Sequence, residues 1–403
     1  MNALTLRPFV IYFLANTLSL LGIWVQKIGL GWLTWQITGS TFWTSFVSIA
    51  LMAPVGILGP FIAVYAERWD MRRAMLVTKI LMMLVSGVIF VMQWLDMHSL
   101  HSLIVTSLAL GILSAFHHPI RLVFISIVVP RAYLASAIGL NSASWNMSRV
   151  VGPALSGFAI VFLGLATTFG LAVLFYLPLV ITMFFLPLEA RAPAKPNKDK
   201  FFHRMRDGGR VALRTPIIFT ALCMVCLNSF FVRGVLEIQP AIAGQILGGD
   251  SRTLAIITAA AGIGAVLASG WIGLGKITPG QVQRSLWPML LIGLVGTACL
   301  NIAQDIVSMS AVFLVTGFTA TVAGIGAQTL IQLEVKEDYR ARVMTWWSSV
   351  SFGSLTVGGI VVGALGDFIP IERAIFLIMI PGGVLAMLVL AKLPLSRWNA
   401  DAV

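Results

Sequence analysis

Twelve long and mostly apolar stretches determine what this chain can fold into. They lie at 8–36, 41–65, 74–95, 102–128, 136–163, 166–187, 215–245, 253–275, 285–303, 307–332, 342–366 and 373–393. A helix needs about 20 apolar residues to cross the hydrocarbon core of a bilayer. No water is available there, so each stretch must pair its own backbone groups as an α-helix. The sequence therefore predicts an all-α membrane protein with twelve transmembrane helices, and a composition that is 58% hydrophobic agrees with this class.

The basic residues fall in alternate loops. One set of loops holds Arg7, Arg68, Arg72, Arg73, Arg131, the run from Arg191 to Arg214, Lys276, Arg284, Lys336, Arg340, Arg342, Lys392 and Arg397. The opposite loops hold only Arg252 and Arg373, each with acids nearby. Basic loops face the cytoplasm, so we expect both termini to be cytoplasmic. The net charge of +12 then indicates a surface beside anionic lipid, and no nucleic-acid partner is predicted.

A polar, basic linker at 189–214 separates six stretches from six and predicts two six-helix bundles, at 1–188 and 215–403. Its section 201–213 has the composition of a short amphipathic helix on the membrane surface. A shift of 206 positions superimposes Tyr133 on Tyr339, Gly152 on Gly358, Gly157 on Gly363, Gly56 on Gly262 and Lys27 on Arg233. These matches predict that the two bundles are pseudo-symmetric halves of a duplicated chain.

The first motif is a charged turn between the second and third stretches. Residues 66–73 read AERWDMRR, five charges in eight positions of a chain that is only 10% charged. Arginines at a helix end pair with carboxylates and with the negative end of a neighbouring helix dipole. We therefore predict that a cytoplasmic gate is formed by Glu67, Arg68, Asp70, Arg72 and Arg73. The alternative is that these charges only set membrane orientation.

This motif carries a resemblance to a known family. The stretch GPFIAVYAERWDMRRAML at 59–76 resembles the loop that marks the major facilitator superfamily, with Glu67 in place of the usual aspartate. The corresponding loop of the second half, GLGKITPGQVQR at 273–284, lacks the acidic and basic cluster. The resemblance implies two six-helix halves with a cargo site between them and transport by alternating access.

A second motif lies in the fifth stretch. Residues 149–157 read RVVGPALSG and resemble the Gly-Pro-x-x-x-Gly signature of superfamily exporters that run as antiporters. The matching residues are Gly152, Pro153 and Gly157. Small residues let helices approach closely and proline loosens the local backbone, so this helix is expected to flex. Ordinary helix packing is the alternative.

Two further segments narrow the resemblance. They are HHPIRLVFISIVVPRAYLASAIGLNSASWN at 117–146 and LIQLEVKEDYRARVMTWW at 330–347. Together they resemble the branch that includes the enterobactin exporter and related siderophore and macrolide exporters. The resemblance implies a proton-coupled exporter of the bacterial inner membrane, without a cofactor and without enzymatic activity. Broad drug or macrolide efflux, import, and lipid flipping remain as alternatives within the same fold.

Ionisable residues inside membrane spans are costly and mark functional sites. Four cations and one carboxylate qualify, a net charge of +3, and polar residues accompany them on the same helix faces. The predicted cargo-binding residues are Lys27, Arg121, Arg149, Arg233, Glu237, Asn16, Gln26, Asn141, Trp145 and Ser229. A watery cavity with excess positive charge favours an anionic guest, such as a carboxylate, catecholate, hydroxamate or phosphate. Each cation has the alternative role of bracing the helix bundle.

Two residues are candidates for proton coupling. Glu237 is the carboxylate placed deepest in a span, four residues after Arg233, and His117 is a second titratable group in the fourth stretch. Their protonation can respond to cargo occupancy. A static Arg–Glu brace and an ordinary hydrogen-bonded histidine are the alternatives. The remaining histidines and acids form no pattern typical of a metal or catalytic site.

Overall fold

The computed structural model of the chain describes residues 3–66, 69–186, 201–274 and 279–392. These residues are nearly all helical and contain no strand. The α-helices are α1 Arg7–Thr38, α2 Thr41–Ala50, α3 Ala53–Ala66, α4 Met71–Trp94, α5 Leu100–Val128, α6 Leu134–Leu163, α7 Leu165–Phe185, α8 Phe201–Arg214, α9 Pro216–Leu227, α10 Gly234–Leu236, α11 Gln239–Leu247, α12 Ser251–Leu274, α13 Pro279–Ala298, α14 Ile306–Glu334, α15 Glu337–Gly366 and α16 Ile371–Lys392. A π-helix at Asn228–Arg233 connects α9 to α10, and short 3₁₀ turns occupy Ala3–Thr5, Arg131–Tyr133 and Cys299–Asn301.

Eleven helical segments in the described residues are long and apolar enough to cross a membrane. The predicted all-α membrane fold is therefore confirmed. The remaining predicted stretch, 285–303, is helical as well, in α13 and the 3₁₀ turn after it.

Two of the predicted spans are broken rather than continuous. The second consists of α2 and α3 with a turn at Leu51–Met52, and the seventh consists of α9, the π-helix, α10 and α11. Pro54 and Pro240 each occupy the second residue of the helix that follows a break. Proline lacks an amide hydrogen and clashes with the preceding turn, so it is tolerated where a helix begins and not where one continues.

The described residues form two compact units. The first unit comprises Met1–Thr38 and Ala50–Lys198, and the second comprises Gly39–Ile49 and Asp199–Val403. Nearly all of α2 therefore belongs to the second unit, although it precedes the linker in the sequence. The predicted bundle boundaries at 188 and 215 stay predictions.

The two units repeat the same local structures at the shift of 206 residues. In the first, Ser99 caps α5 and exchanges hydrogen bonds with Ser102 in a capping box. In the second, Asp305 caps α14 and exchanges the same bonds with Ser308. Positions 99 and 102 become 305 and 308 when 206 is added, so these helix starts coincide in the two halves of the sequence.

A close helix contact repeats in the same way. A side chain on Gly152 of α6 would clash with Trp24 of α1, and a side chain on Gly358 of α15 would clash with the backbone of Phe230. Adding 206 to the numbers of Gly152 and Trp24 gives the numbers of Gly358 and Phe230. The shared register supports the duplication that the sequence predicts.

The linker contains the predicted helix, as α8. This helix packs on α15: Asp207 lies 3.6 Å from the Arg342 guanidinium, and Gly208 and Gly209 face Arg342 and Trp346. Glycine at both positions allows the two helices to approach closely. Its location on a membrane surface stays a prediction.

Candidate functional site

Arg121 is the centre of a buried polar group in the first unit. Its Nη1 atom donates to Asn141 Oδ1 at 3.0 Å, and Asn16 Nδ2 donates to the same oxygen at 3.3 Å. The guanidinium also lies over the Trp145 ring, 4.9 Å from the centroid. Helices α1, α5 and α6 thus bring together four of the predicted cargo-binding residues.

Gln26 belongs to a second buried group, which contains a cation that the sequence analysis missed. Gln26 Oε1 accepts from Ser86 Oγ at 2.8 Å and from the Tyr176 hydroxyl at 3.2 Å. Lys79 Nζ lies 4.6 Å from the centroid of the Tyr176 ring. Its one recorded hydrogen bond runs to Met82 Sδ at 3.6 Å. Lys79 is fully buried, with 0% of its surface exposed.

The burial of Lys79 contradicts the usual behaviour of a lysine at its position. It is the sixth residue of the stretch 74–95, and lysines near a span end normally extend to the membrane interface. The available signal was its spacing from Ser86, since residues seven apart share a helix face. That spacing places Lys79 on the buried polar face of α4.

His117 connects the two polar groups. Its Nδ1 atom lies 3.3 Å from Thr78 Oγ1, next in sequence to Lys79, and Arg121 follows one helical turn later on α5. Lys79, His117 and Arg121 lie close enough for electrostatic interaction. The predicted proton-coupling histidine therefore lies on the helix of Arg121 and contacts the residue that precedes Lys79 on α4.

Lys27 lies near the Arg121 group. It is buried on α1, with Nζ 4.9 Å from the centroid of the Trp24 ring. Trp24 in turn contacts Trp145 edge-on at 6.0 Å. Arg149 is half-buried on α6, one turn after Trp145. The predicted cations of the first unit thus lie on helices that share one polar region.

Carboxylates are scarce around these cations. The only acids in residues 1–198 are Glu67, Asp70, Asp96 and Glu189, all outside the apolar stretches. Lys79 and Arg121 make no ion pair within the described part of the chain. The buried polar atoms without a hydrogen-bond partner among the described residues include Tyr12 Oη, Asn16 Oδ1, Gln26 Nε2, His117 Nε2 and Arg121 Nε. Buried groups of this kind need a partner, and an anion can satisfy the donors among them.

The second unit has its own polar group. Arg233 Nη1 donates to Ser351 Oγ at 3.1 Å, and Ser229 Oγ lies 3.4 Å from the same atom. Glu237 is buried at the end of α10, where it faces Gly359 of α15. The three predicted residues therefore all face α15, although the π-helix and the turn replace the regular α-helix assumed from the sequence.

The structure describes part of the predicted gate. Glu67 and Arg68 lie outside the described residues. Asp70 caps α4 by accepting from the backbone nitrogens of Arg72 and Arg73 at 3.0 and 3.1 Å. Arg73 Nε also lies 3.3 Å from the Asp70 carboxylate in an exposed ion pair. Exposed pairs contribute little stability.

Arg72 binds the end of another helix. Its guanidinium donates to the carbonyl oxygens of Met183 and Phe184 at 2.5 and 2.6 Å. These carbonyls lie in the last turn of α7, the negative end of its dipole. The predicted pairing of an arginine with a helix end is thus present inside the first unit, while a gating role stays a prediction.

The Gly-Pro motif lies on α6, which continues through Pro153, and Gly157 is buried on the same helix. Small residues at four-residue spacing on this helix are Ser144, Ser148, Gly152 and Ser156. They face α1: Ser144 Oγ lies 2.7 Å from Thr17 Oγ1, and Ser156 Oγ donates to the Val25 carbonyl at 3.0 Å. The motif is therefore part of a close α1–α6 contact, and its link to antiport stays a prediction.

Comparison with known sequences identifies relatives along almost the whole chain. The model of a family described as transmembrane secretion effector matches residues 2–403. An uncharacterized MFS-type transporter of Bacillus subtilis is 26% identical over 369 residues, 89% of this chain and 87% of that protein. A staphyloferrin A transporter of Staphylococcus aureus is 23% identical over 90% of both chains. Macrolide efflux protein A of Streptococcus pyogenes is 21% identical over 83% of this chain and 84% of its own.

Solved structures share the fold. A POT family transporter has a TM-score of 0.70 at 11% identity and covers 96% of both chains. A nucleoside transporter has a TM-score of 0.69 at 14% identity, over 96% of this chain and 99% of its own. A bacterial homologue of the human lysosomal transporter Spinster has a TM-score of 0.67 at 14% identity, over 98% and 97%. At these identities the likeness concerns the fold alone.

Proposed function

Because the chain belongs to the transmembrane secretion effector family of major facilitator transporters, we propose that it exports a small, anionic organic molecule by proton antiport. Members of this family are multi-pass membrane transporters of small molecules and not enzymes. The proposed transport is secondary active and alternates access between the two sides of the bacterial inner membrane, with both termini in the cytoplasm.

The observation that carries the anionic cargo is the environment of Arg121. Its guanidinium is buried beside Asn141, Asn16 and Trp145, in a half of the chain whose apolar stretches contain no acid. Arginine stays protonated in proteins, and a buried charge without a counter-charge is strongly destabilising. A negatively charged cargo group supplies the missing counter-charge.

The second unit contributes the proposed proton site. Arg233 and Ser229 meet at Ser351, and Glu237 is buried on the same side. We assign Arg233 to the cargo and Glu237 to the exchanged proton, with His117 as a second proton-binding candidate. The gate at 67–73 then stabilises one of the alternating conformations.

Two relatives support two cargo classes. The staphyloferrin A transporter favours a siderophore-like acid, and the positive excess around Arg121 agrees with it. Macrolide efflux protein A favours a broad drug-efflux pump as the second candidate, with Trp24 and Trp145 available to stack on a conjugated cargo. An importer or a lipid flippase of the same fold is the further alternative.

Secreted metabolites test the cargo class. A deletion strain complemented with the native chain is expected to release an acidic compound that strains carrying Arg121→Gln do not release. Lys336→Gln is the matched control, since Lys336 is an exposed cation outside both polar groups. Release of a cationic or neutral drug instead, unaffected by Arg121→Gln, would support the efflux-pump alternative.

Proteoliposomes with an imposed pH gradient test the coupling. The compound identified in the secretion experiment is expected to move against its own gradient only when protons flow the opposite way. Glu237→Gln is expected to reduce gradient-driven transport at least tenfold while downhill exchange of cargo persists. Transport that ignores the gradient in both proteins excludes proton antiport, and accumulation in the opposite direction identifies an importer.

A further inference from the structure

We propose that the first unit binds two anionic groups of one cargo molecule, one at Arg121 and one at Lys79. The Arg121 pole consists of Arg121, Asn141, Asn16 and Trp145, and the Lys79 pole consists of Lys79, Tyr176, Gln26 and Ser86. The inference rests on the proposed anionic cargo and narrows it to compounds with at least two negative groups, such as polycarboxylates.

The Arg121 pole has an unused donor beside its hydrogen-bonded ones. Nη1 donates to Asn141, while Nε has no hydrogen-bond partner among the described residues. Asn141 Oδ1 accepts from both Asn16 Nδ2 and Arg121 Nη1. A carboxylate oxygen is the kind of acceptor that the free edge of a guanidinium binds best.

The cation of the Lys79 pole has weaker interaction partners than Arg121 has. Nζ contacts only a thioether sulfur and the face of Tyr176 among its recorded interactions. Gln26 accepts from Ser86 and Tyr176, which leaves its Nε2 donor without a partner in the described residues. An ammonium and an amide donor close to one ring thus form a second place for a negative group.

The spacing of the poles favours one ligand with two charges. His117 lies beside Thr78 at the Lys79 pole, and the four residues from His117 to Arg121 correspond to about 6 Å along a helix. Two positive charges in one low-dielectric interior repel each other. One monoanion cannot neutralise both, whereas a ligand with two carboxylates can. His117 Nε2 is also without a hydrogen-bond partner among the described residues.

Citrate and acetate are suitable probes. Isothermal titration of the purified full chain in neutral detergent at constant ionic strength is expected to show citrate binding at least tenfold tighter than acetate binding. Lys79→Met and Arg121→Gln are each expected to weaken citrate binding at least tenfold and to change acetate binding less than threefold. Lys336→Met, which removes an exposed lysine of the second unit, is expected to leave both unchanged.

The variants separate this inference from the proposed export of anions. If Arg121→Gln weakens citrate binding and Lys79→Met does not, an anionic cargo survives and the second pole is refuted. If the native chain binds citrate no better than acetate, the two-pole site is also refuted, while export of a monoanion remains open to the secretion experiment. Lys79→Arg, which keeps the positive charge, provides a check on folding and is expected to bind citrate within about threefold of the native chain. Lys79→Gln, which removes the charge, is expected to lose citrate binding. This pair of results would show that the charge of Lys79 is responsible.

Discussion

Asp305 and Ser99 occupy equivalent helix starts with different chemistry. Both cap a helix, but Asp305 is a carboxylate and Ser99 a hydroxyl. Hydrogen bonds from the Ser308 side chain and backbone hold the pKa of Asp305 below its usual value. A depressed folded-state pKa means that the ionised cap stabilises the fold above the unfolded pKa of about 4 and that this contribution is lost as pH falls through the folded pKa.

Asp305→Ala is therefore expected to lower the Tm at pH 7 by about 1–3 °C. The difference from the native chain should shrink as the pH falls below about 4, because the native carboxylate then becomes protonated. Thermal unfolding followed by tryptophan fluorescence between pH 3 and 8 measures both effects.

Ser99→Ala is the matched control. A hydroxyl does not titrate in this range, so its loss should lower the Tm by a similar amount that stays constant with pH. A pH-independent deficit for Asp305→Ala as well would show that the charge of the cap contributes nothing.

The burial of a single residue was predictable where its position in an apolar stretch alone determines it. Arg121 lies inside an apolar stretch, so its burial followed from its position, and Asn141 proved to be its hydrogen-bond partner, shared with Asn16. Lys79 lies where a lysine can reach the interface, and only the packing of Tyr176 from α7 reveals its burial. Contacts between helices are not encoded in hydropathy, so the burial of Lys79 was missed.

At the scale of helices, two glycines determine how closely their helices pack. Gly152 and Gly358 each leave no room for a side chain against α1 and the π-helix, respectively. Gly152→Ala and Gly358→Ala are expected to destabilise the protein by about 1–3 kcal/mol through overpacking. Chemical or thermal unfolding of the purified variants measures the loss.

Each helix also offers an open glycine as a control. Gly139 on α6 and Gly353 on α15 have no atoms within 4 Å of an added Cβ. Alanine there should be neutral or stabilise by about 0.5–1 kcal/mol, because it restricts the unfolded chain and favours a helix. Equal effects at all four positions would contradict a special role for the two close contacts.

The helices themselves follow from the apolar stretches, but their interruptions do not. Periodicity cannot reveal a break in a sequence that is apolar on all sides. Pro54 and Pro240 were the available signals for the breaks in the second and seventh spans. The π-helix at Asn228–Arg233 has no comparable proline signal in the sequence.

At the scale of the whole chain, α2 is grouped apart from α3, its neighbour in sequence. It belongs to the second unit, while α3 belongs to the first. Glycines on α15 make room for α2: Gly363 faces Ser45, Gly359 faces Ile49 and Gly366 faces Thr41. The sequence places α2 before the linker, and hydropathy alone does not indicate these contacts with α15.

Asp367 holds the start of α2. Its carboxylate accepts from Ser40 Oγ at 2.6 Å, from the Thr41 backbone nitrogen at 2.7 Å and from the Phe42 backbone nitrogen at 3.3 Å. Hydrogen bonds to a charged group contribute about 1.5–3 kcal/mol to stability. The Asp367 carboxylate is exposed to solvent, so this range is an upper limit for each of its bonds. Asp367→Ala is expected to speed amide hydrogen exchange at residues 41–43 by at least about tenfold, measured by mass spectrometry of overlapping peptides.

Asp250 provides the matched control for this last variant. It caps the start of α12 by accepting from the backbone nitrogens of Arg252 and Thr253 at 2.9 and 3.2 Å, in the same unit. Asp250→Ala should speed exchange at residues 252–253 and leave residues 41–43 unchanged. If exchange at 41–43 is equally slow in Asp367→Ala and in the native chain, then the glycine contacts alone hold α2 on α15, and the carboxylate is dispensable.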